Sequence, residues 1–288
     1  MFPVVDVSQW QVDEVDEQLG TKEKSWLRNS SDQRWLFKQV RSAEHGEDWA
    51  EKLVQQLALH LGLPVANVDL AVLGDRRGVI SQNFVPRDAR LEHGNELLVR
   101  IDPDYDRDQT RRNDRYTIEA VQLALSDASP PDAYVIENLS AFDVWAGYLV
   151  LDAWVAGRDR HHENWAVIAT PNGRVLAPTF DHGNALGFQE TEEKHRTMSQ
   201  DDAMLSRWAD RGTSHHFAGR PRLVDLAHSA LDAASSHTRR IWLTRLAGVS
   251  EDDLTSVISQ MPPIMSAAAR TFCLRLLMLN QRRLCDVR

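Results

Sequence analysis

The chain has 288 residues, with 33 Lys and Arg against 42 Asp and Glu, for a formal net charge of −9 at pH 7. That balance argues against broad binding to nucleic acid or to an anionic membrane, though it does not exclude a nucleotide. Hydrophobic residues make up 42% of the chain, enough for a real core in one large domain or two lobes. Cys273 and Cys285 are too few for a disulfide framework and lack metal-ligand spacing, so a reducing, cytoplasmic setting is expected. The opening "MFPVVDVSQW" is broken by polar residues, unlike a secretory signal, and no run of about 18 apolar residues offers a membrane span.

In chain order, "SWL" and "RWLFKQV" flank the polar "RNSSDQ" and predict a hairpin. "EDWAEKLVQQLALHLG" predicts a helix with Trp49, Leu53, Leu57 and Leu61 on one stripe and Gly62 as its stop. "VANVDLAVL" and "RGVISQNFV" read as two further strands, and the composition changes at a hinge near residues 82–88. The charge-dense "RIDPDYDRDQTRRNDR" reads as a loop. "NLSAFDVWAGYLVLDAWVAG" predicts a helix with a wide apolar stripe, ended at Gly157. "SEDDLTSVISQM" opens with a capping box from Ser250 to Asp253, and Pro262 and Pro263 separate it from a last amphipathic helix. A small strand-rich lobe followed by a larger helical one is the expected organisation.

Between the apolar helix and the next strand lies "GRDRHHENW", after which "WAVIA", "TPNG" and "RVLAPTFD" predict a hairpin. A turn on Asn172 and Gly173 sets Asn164 opposite Asp181, with Cα atoms about 5 Å apart. Asp159 lies five residues before Asn164 in the preceding loop. Two carboxylates and an amide oxygen at one end of a hairpin suit a hard cation such as magnesium, although Asp and Asn also flank ordinary turns. In the first lobe, alternation puts Lys38 on the apolar face of its strand with Leu36 and Val40. A buried ammonium needs a partner, and Glu51, on the helix face of Val54 and Ala58, is placed to supply one. His161, His162, His182, His215 and His216 form no H-x-x-x-H or H-E-x-x-H pattern, so zinc chemistry is not favoured; His161 reads as a packing residue shaping the loop.

In this order the motifs resemble the HipA-like branch of atypical kinases: "GRDRHHEN" is similar to its catalytic loop, "LAPTFD" to its metal segment, and "GTKEKSWL" to its phosphate loop. The likeness covers roughly residues 18–285. It implies an α+β, bilobal protein kinase-like fold, with a small strand-rich N-lobe over residues 1–85 and a larger, mainly helical C-lobe over 86–288. It also implies ATP and Mg2+ as cofactors, with Asp159 as the base for the acceptor hydroxyl and Asn164 and Asp181 as magnesium ligands. Lys38 would contact the nucleotide phosphates and be fixed by Glu51. Gly20, Thr21, Lys22, Glu23, Lys24 and Ser25 would cover those phosphates, and Gln82, Asn83, Phe84 and Val85 would meet the adenine. A protein serine or threonine is the expected acceptor, and an antitoxin or inhibitor protein the expected partner. A small-molecule or lipid-headgroup kinase and a silent nucleotide-binding pseudokinase are the alternatives. "DHG" stands where typical kinases carry "DFG", so His182 replaces the phenylalanine of their switch. The later "QETEEKHRTMSQDD" falls where kinases carry an activation loop; it reads equally as a mobile surface loop, and Thr197 and Ser199 are its candidate phosphosites.

Overall fold

Alternating side chains build the first sheet. Its elements in chain order are β1 (Val4–Asp6), β2 (Gln11–Val12), β3 (Lys24–Arg28), β4 (Arg34–Gln39), helix α1 (Glu47–His60), β5 (Val68–Leu73) and β6 (Arg76–Gln82). The protein is described here from a computed structural model covering residues 1–13, 24–135 and 137–286. The strands run in the order β1-β5-β6-β4-β3-β2, with β1 parallel to β5 and the other pairs antiparallel. Odd positions of β4 face outward, where Trp35 and Phe37 join Val7, Leu27, Ala71 and Ile80 in a small cluster. Even positions face inward. There Lys38 sits directly opposite Val79 of β6, and the apolar stripe of α1 (Trp49, Leu53, Val54, Leu57) packs with Val68, Leu70 and Val79 in the main core. The predicted hairpin, helix and two strands all form, and Gly62 takes φ +65° just past α1, a conformation open to glycine without a Cβ penalty.

A linker over residues 83–89 leads to the second part of the chain. It comprises β7 (Arg90–His93), α2 (Gly94–Ile101), α3 (Ile118–Ala124), β8 (Ala128–Ser129), α4 (Asp132–Val135), α5 (Ala141–Trp154), β9 (Ala166–Thr170) and β10 (Gly173–Leu176). Helices α6 (Glu192–Gln200), α7 (Asp202–Asp210), α8 (Leu223–Ala233), α9 (Ser236–Ala247), α10 (Glu251–Ser259) and α11 (Ala267–Cys285) follow. The second sheet has the order β7-β9-β10-β8. α10 opens with the expected Ser250–Asp253 capping box. Among the described residues no helix is long and apolar enough to cross a membrane.

Four expectations change. α5 is buried on nearly every side rather than along one stripe, with Trp145 and Trp154 fully enclosed. It ends at Trp154 rather than at Gly157; Ala156 takes φ 54°, while the Gly157 amide closes onto the Asp152 carbonyl at 2.7 Å. The β9–β10 turn is centred on Pro171 and Asn172, so that Gly173 pairs with Thr170 and Leu176 with Val167. Proline's locked φ suits the first central position of a turn, and this moves the register by two residues, so Asn164 does not stand opposite Asp181. The stretch "QETEEKHRTMSQDD" is not a mobile surface loop: residues 192–200 form α6, capped by Thr191 and packed on α11. Ser199 is buried there and donates to the His195 carbonyl at 2.7 Å, which removes it as an accessible phosphosite.

Gly78 pairs with Gln39 in β6, and a Cβ at this position would overlap the Lys38 carbonyl oxygen. Gly78→Ala is therefore expected to destabilise the protein by about 1–3 kcal/mol, an overpacking penalty. Chemical denaturation checks this, and an unchanged midpoint would contradict the close approach of β4 and β6.

Candidate active site

Lys38 is 6% exposed on the inner face of β4, where solvent cannot offset the cost of a buried ammonium. Its Nζ lies 3.2 Å from Glu51 Oε1 on α1 and 3.1 Å from Asp181 Oδ1, which follows β10. Burial works to strip its proton, but the Asp181 and Glu51 carboxylates outweigh that effect and hold the pKa above the ordinary lysine value. Three segments far apart in sequence thus meet at one cation. Asp181 takes φ 61°, and Gly183 two residues later lies so close to α1 that a Cβ would come within 3.3 Å of Glu51 Oε2.

The 157–164 loop is held by a second buried pair. Arg160 donates through Nε to Asp152 Oδ2 at 2.7 Å and through Nη2 to Asp152 Oδ1 at 2.8 Å. Its Nη1 donates to the Asn164 carbonyl at 2.6 Å, so one guanidinium ties the end of α5 to the end of the loop. Burial pushes the Asp152 carboxyl up, while Arg160 opposes that push. The Asn164 side chain donates through Nδ2 to the Asp159 carbonyl at 2.7 Å, which leaves its Oδ1 as the acceptor atom. Asp159, Asn164 and Asp181 line one cleft, together with Asp152, Gly157, Arg160, His182, Asn184 and Ala185. These three residues therefore share a cleft even though the hairpin register that suggested their meeting does not form.

Burial tends to raise the Asp159 pKa, but the hydrogen bond from His216 and the nearby imidazoles outweigh it and leave the carboxyl below its usual value. Its Oδ1 lies 3.1 Å from His216 Nε2. Burial lowers both His161 and His162 to about 4, and His182 far below the normal histidine range, so these imidazoles are neutral at pH 7. Among the described residues no three His, Cys, Asp or Glu side chains gather as a metal cage.

The linker runs beside this cleft, with the Phe84 ring 6.0 Å from that of Phe180, the neighbour of Asp181. Asn83 donates its backbone amide to Arg34 O at 2.9 Å. Its side chain accepts from Val85 N at 3.2 Å. Gln82 is held by Asn67 through both backbone and side chain. On β3, Lys24 stands opposite Lys38 and Ser25 opposite Phe37. Gly20, Thr21, Lys22 and Glu23 lie outside the described residues.

Asp152 and His216 join the site beyond the residues expected from the sequence. A lone carboxylate inside "YLVLDAW" was a usable signal, because a charge in an otherwise apolar helix requires a partner. His216 gave none, since it meets Asp159 from 57 residues away.

No protein-family model and no curated protein matches the sequence. Solved structures do. The proinflammatory kinase CtkA of Helicobacter pylori superposes with a TM-score of 0.78 at 16% identity, over 99% of this chain and 96% of that one. HipA of Shewanella oneidensis MR-1, from a toxin–antitoxin complex with HipB and operator DNA, superposes with a TM-score of 0.50 at 16% identity, over 94% of this chain and 67% of that one. The fold is that of the HipA-like kinases. It is α+β and bilobal, as the resemblance implied.

Removing Arg160 leaves Asp152 as an unpaired carboxylate in a buried site. Arg160→Met is expected to lower stability by about 3–5 kcal/mol, measured by urea unfolding. A loss below about 1 kcal/mol would show that the pair does not hold the loop.

Proposed function

We propose that this chain is an ATP- and magnesium-dependent kinase that transfers the γ-phosphoryl group to a serine or threonine hydroxyl of a protein. One observation carries the proposal: the Lys38 ammonium joins Glu51 to Asp181 beside the cleft lined by Asp159 and Asn164. Phosphoryl transfer asks little covalent chemistry of a protein, so a fixed cation, a base and hard oxygen donors are the parts required. Lys38 neutralises the nucleotide phosphates, and Glu51 keeps it in place. Asp159, held as a carboxylate, accepts the proton of the acceptor hydroxyl as that oxygen attacks the γ-phosphorus, while the bond from that phosphorus to the β,γ-bridging oxygen breaks and ADP leaves.

Asn164 Oδ1 and the Asp181 carboxylate fit magnesium, which binds through few protein oxygens and takes its remaining ligands from phosphate and water. When bound, that ion supplies charge neutralisation of the phosphates. Gly20, Thr21, Lys22, Glu23, Lys24 and Ser25 are assigned to the nucleotide phosphates. Gln82, Asn83, Phe84 and Val85 flank the adenine at the boundary between an N-lobe of residues 1–85 and a C-lobe of 86–288. The S. oneidensis HipA structure contains HipB, and we assign this chain a protein inhibitor of that kind. Free Cys273 and Cys285 fit a cytoplasmic setting.

With γ-labelled ATP and magnesium, wild type is expected to label itself or an added polypeptide, and Asp159→Ala to lower that rate by about 10²–10⁴-fold. Asp181→Ala is expected to lose magnesium-dependent nucleotide binding. Label confined to an added metabolite would move the acceptor to a small molecule. Transfer equal in Asp159→Ala and wild type would overturn the assignment of the base.

A further inference from the structure

The segment between α7 and α8 closes on itself. Thr213 bridges Arg222, and Ser214 N donates to Pro221 O at 2.9 Å. Phe217 stacks on Tyr116 with ring centroids 4.1 Å apart, and Ala218 N donates to Tyr116 O at 3.0 Å. Tyr116 belongs to the frame of the 157–164 loop, since its hydroxyl donates to Arg160 O at 3.2 Å and accepts from Trp165 Nε1 at 2.9 Å. His216 is consequently 3% exposed and set in a rigid seat. Its Nδ1 lies 2.5 Å from the Thr110 carbonyl oxygen, and its Nε2 lies 3.1 Å from Asp159 Oδ1.

Nδ1 thus faces a carbonyl oxygen and Nε2 a carboxylate oxygen, and the ring bridges Thr110 to Asp159. The Thr110 contact fixes the plane of the ring, and the fixed ring directs Nε2 at one oxygen of Asp159. The Asp159 side chain is 38% exposed, and a carboxylate without such a contact can occupy more than one staggered orientation.

We propose that His216 is a positioning residue for phosphoryl transfer: it pins Oδ1 of Asp159 so that Oδ2 meets the acceptor hydroxyl. The proposal rests on the reading of Asp159 as the base. The long 102–117 loop gains a purpose by it, because the Thr110 carbonyl orients the ring that orients the carboxylate.

Two substitutions separate this role from simple packing. In His216→Gln the introduced amide nitrogen reaches the place of Nε2 and keeps a donor to Asp159, while the Thr110 bond is lost. His216→Asn reaches only the place of Nδ1, keeping the Thr110 bond and losing Asp159. With wild-type protein as reference, His216→Asn is expected to lower kcat by about 10–100-fold, with KM for ATP changed by less than about twofold. His216→Gln is expected to recover part of kcat, falling short of wild type because the Thr110 contact is lost. The reverse order, or equal loss in both variants, would make His216 a structural anchor and overturn the proposal. Asp159→Ala, measured alongside, distinguishes the two failures. If it is inert while both His216 variants match wild type, only the role of His216 falls. If it is fully active, the base assignment falls and this role falls with it.

Discussion

A buried ammonium between two carboxylates is the constraint around which the molecule is arranged. Lys38 stands on the inner face of a sheet, where an unpaired charge is not tolerated. Glu51 from α1 and Asp181 from beyond β10 therefore have to arrive at the same point. Those two contacts join the sheet, its helix and the second part of the chain, and they place a fixed positive charge at the edge of the cleft. Gly183 allows the closest part of that approach, since a side chain there would press on α1 at Glu51.

A second buried pair performs the matching task on the other side. Arg160 and Asp152 fasten the 157–164 loop to the deeply buried α5, and the same guanidinium grips the carbonyl of Asn164. Backbone is held in unusual conformations at both edges of the cleft, with Ala156 at φ 54° just past the end of α5 and Asp181 at φ 61°. Non-glycine residues persist in that region only where surrounding contacts over-determine them, and such positions concentrate at functional sites. Here the contacts are the two ion pairs and the capped helix end.

Much of this was legible in the sequence because it depends on local period. Alternation in "RWLFKQV" put Lys38 on the inner face, and the helical period put Glu51 near it. The three cleft residues Asp159, Asn164 and Asp181 were likewise recoverable from their spacing around one hairpin. The ladder nevertheless does not join Asn164 to Asp181: Pro171 claims the first central position of the turn, and a two-residue shift follows. Their meeting depends instead on the chain beyond the ladder, which no local rule specifies. α6 escaped notice because the polar "TEEKHRT" carries little apolar period, its buried side being His195, Met198 and Ser199 against α11. His216 was hidden for a different reason, since contacts at long sequence separation leave no periodic trace.

The coupling between Lys38 and Asp181 is what a double-mutant cycle on magnesium-dependent ATP affinity reads most directly, using Lys38→Met, Asp181→Asn and the double variant. If one ammonium serves both the carboxylate and the nucleotide phosphates, the two losses are non-additive, with a coupling energy of about 0.5–3 kcal/mol. Strictly additive losses, or single variants that bind ATP as wild type does, would contradict the central role given to that contact.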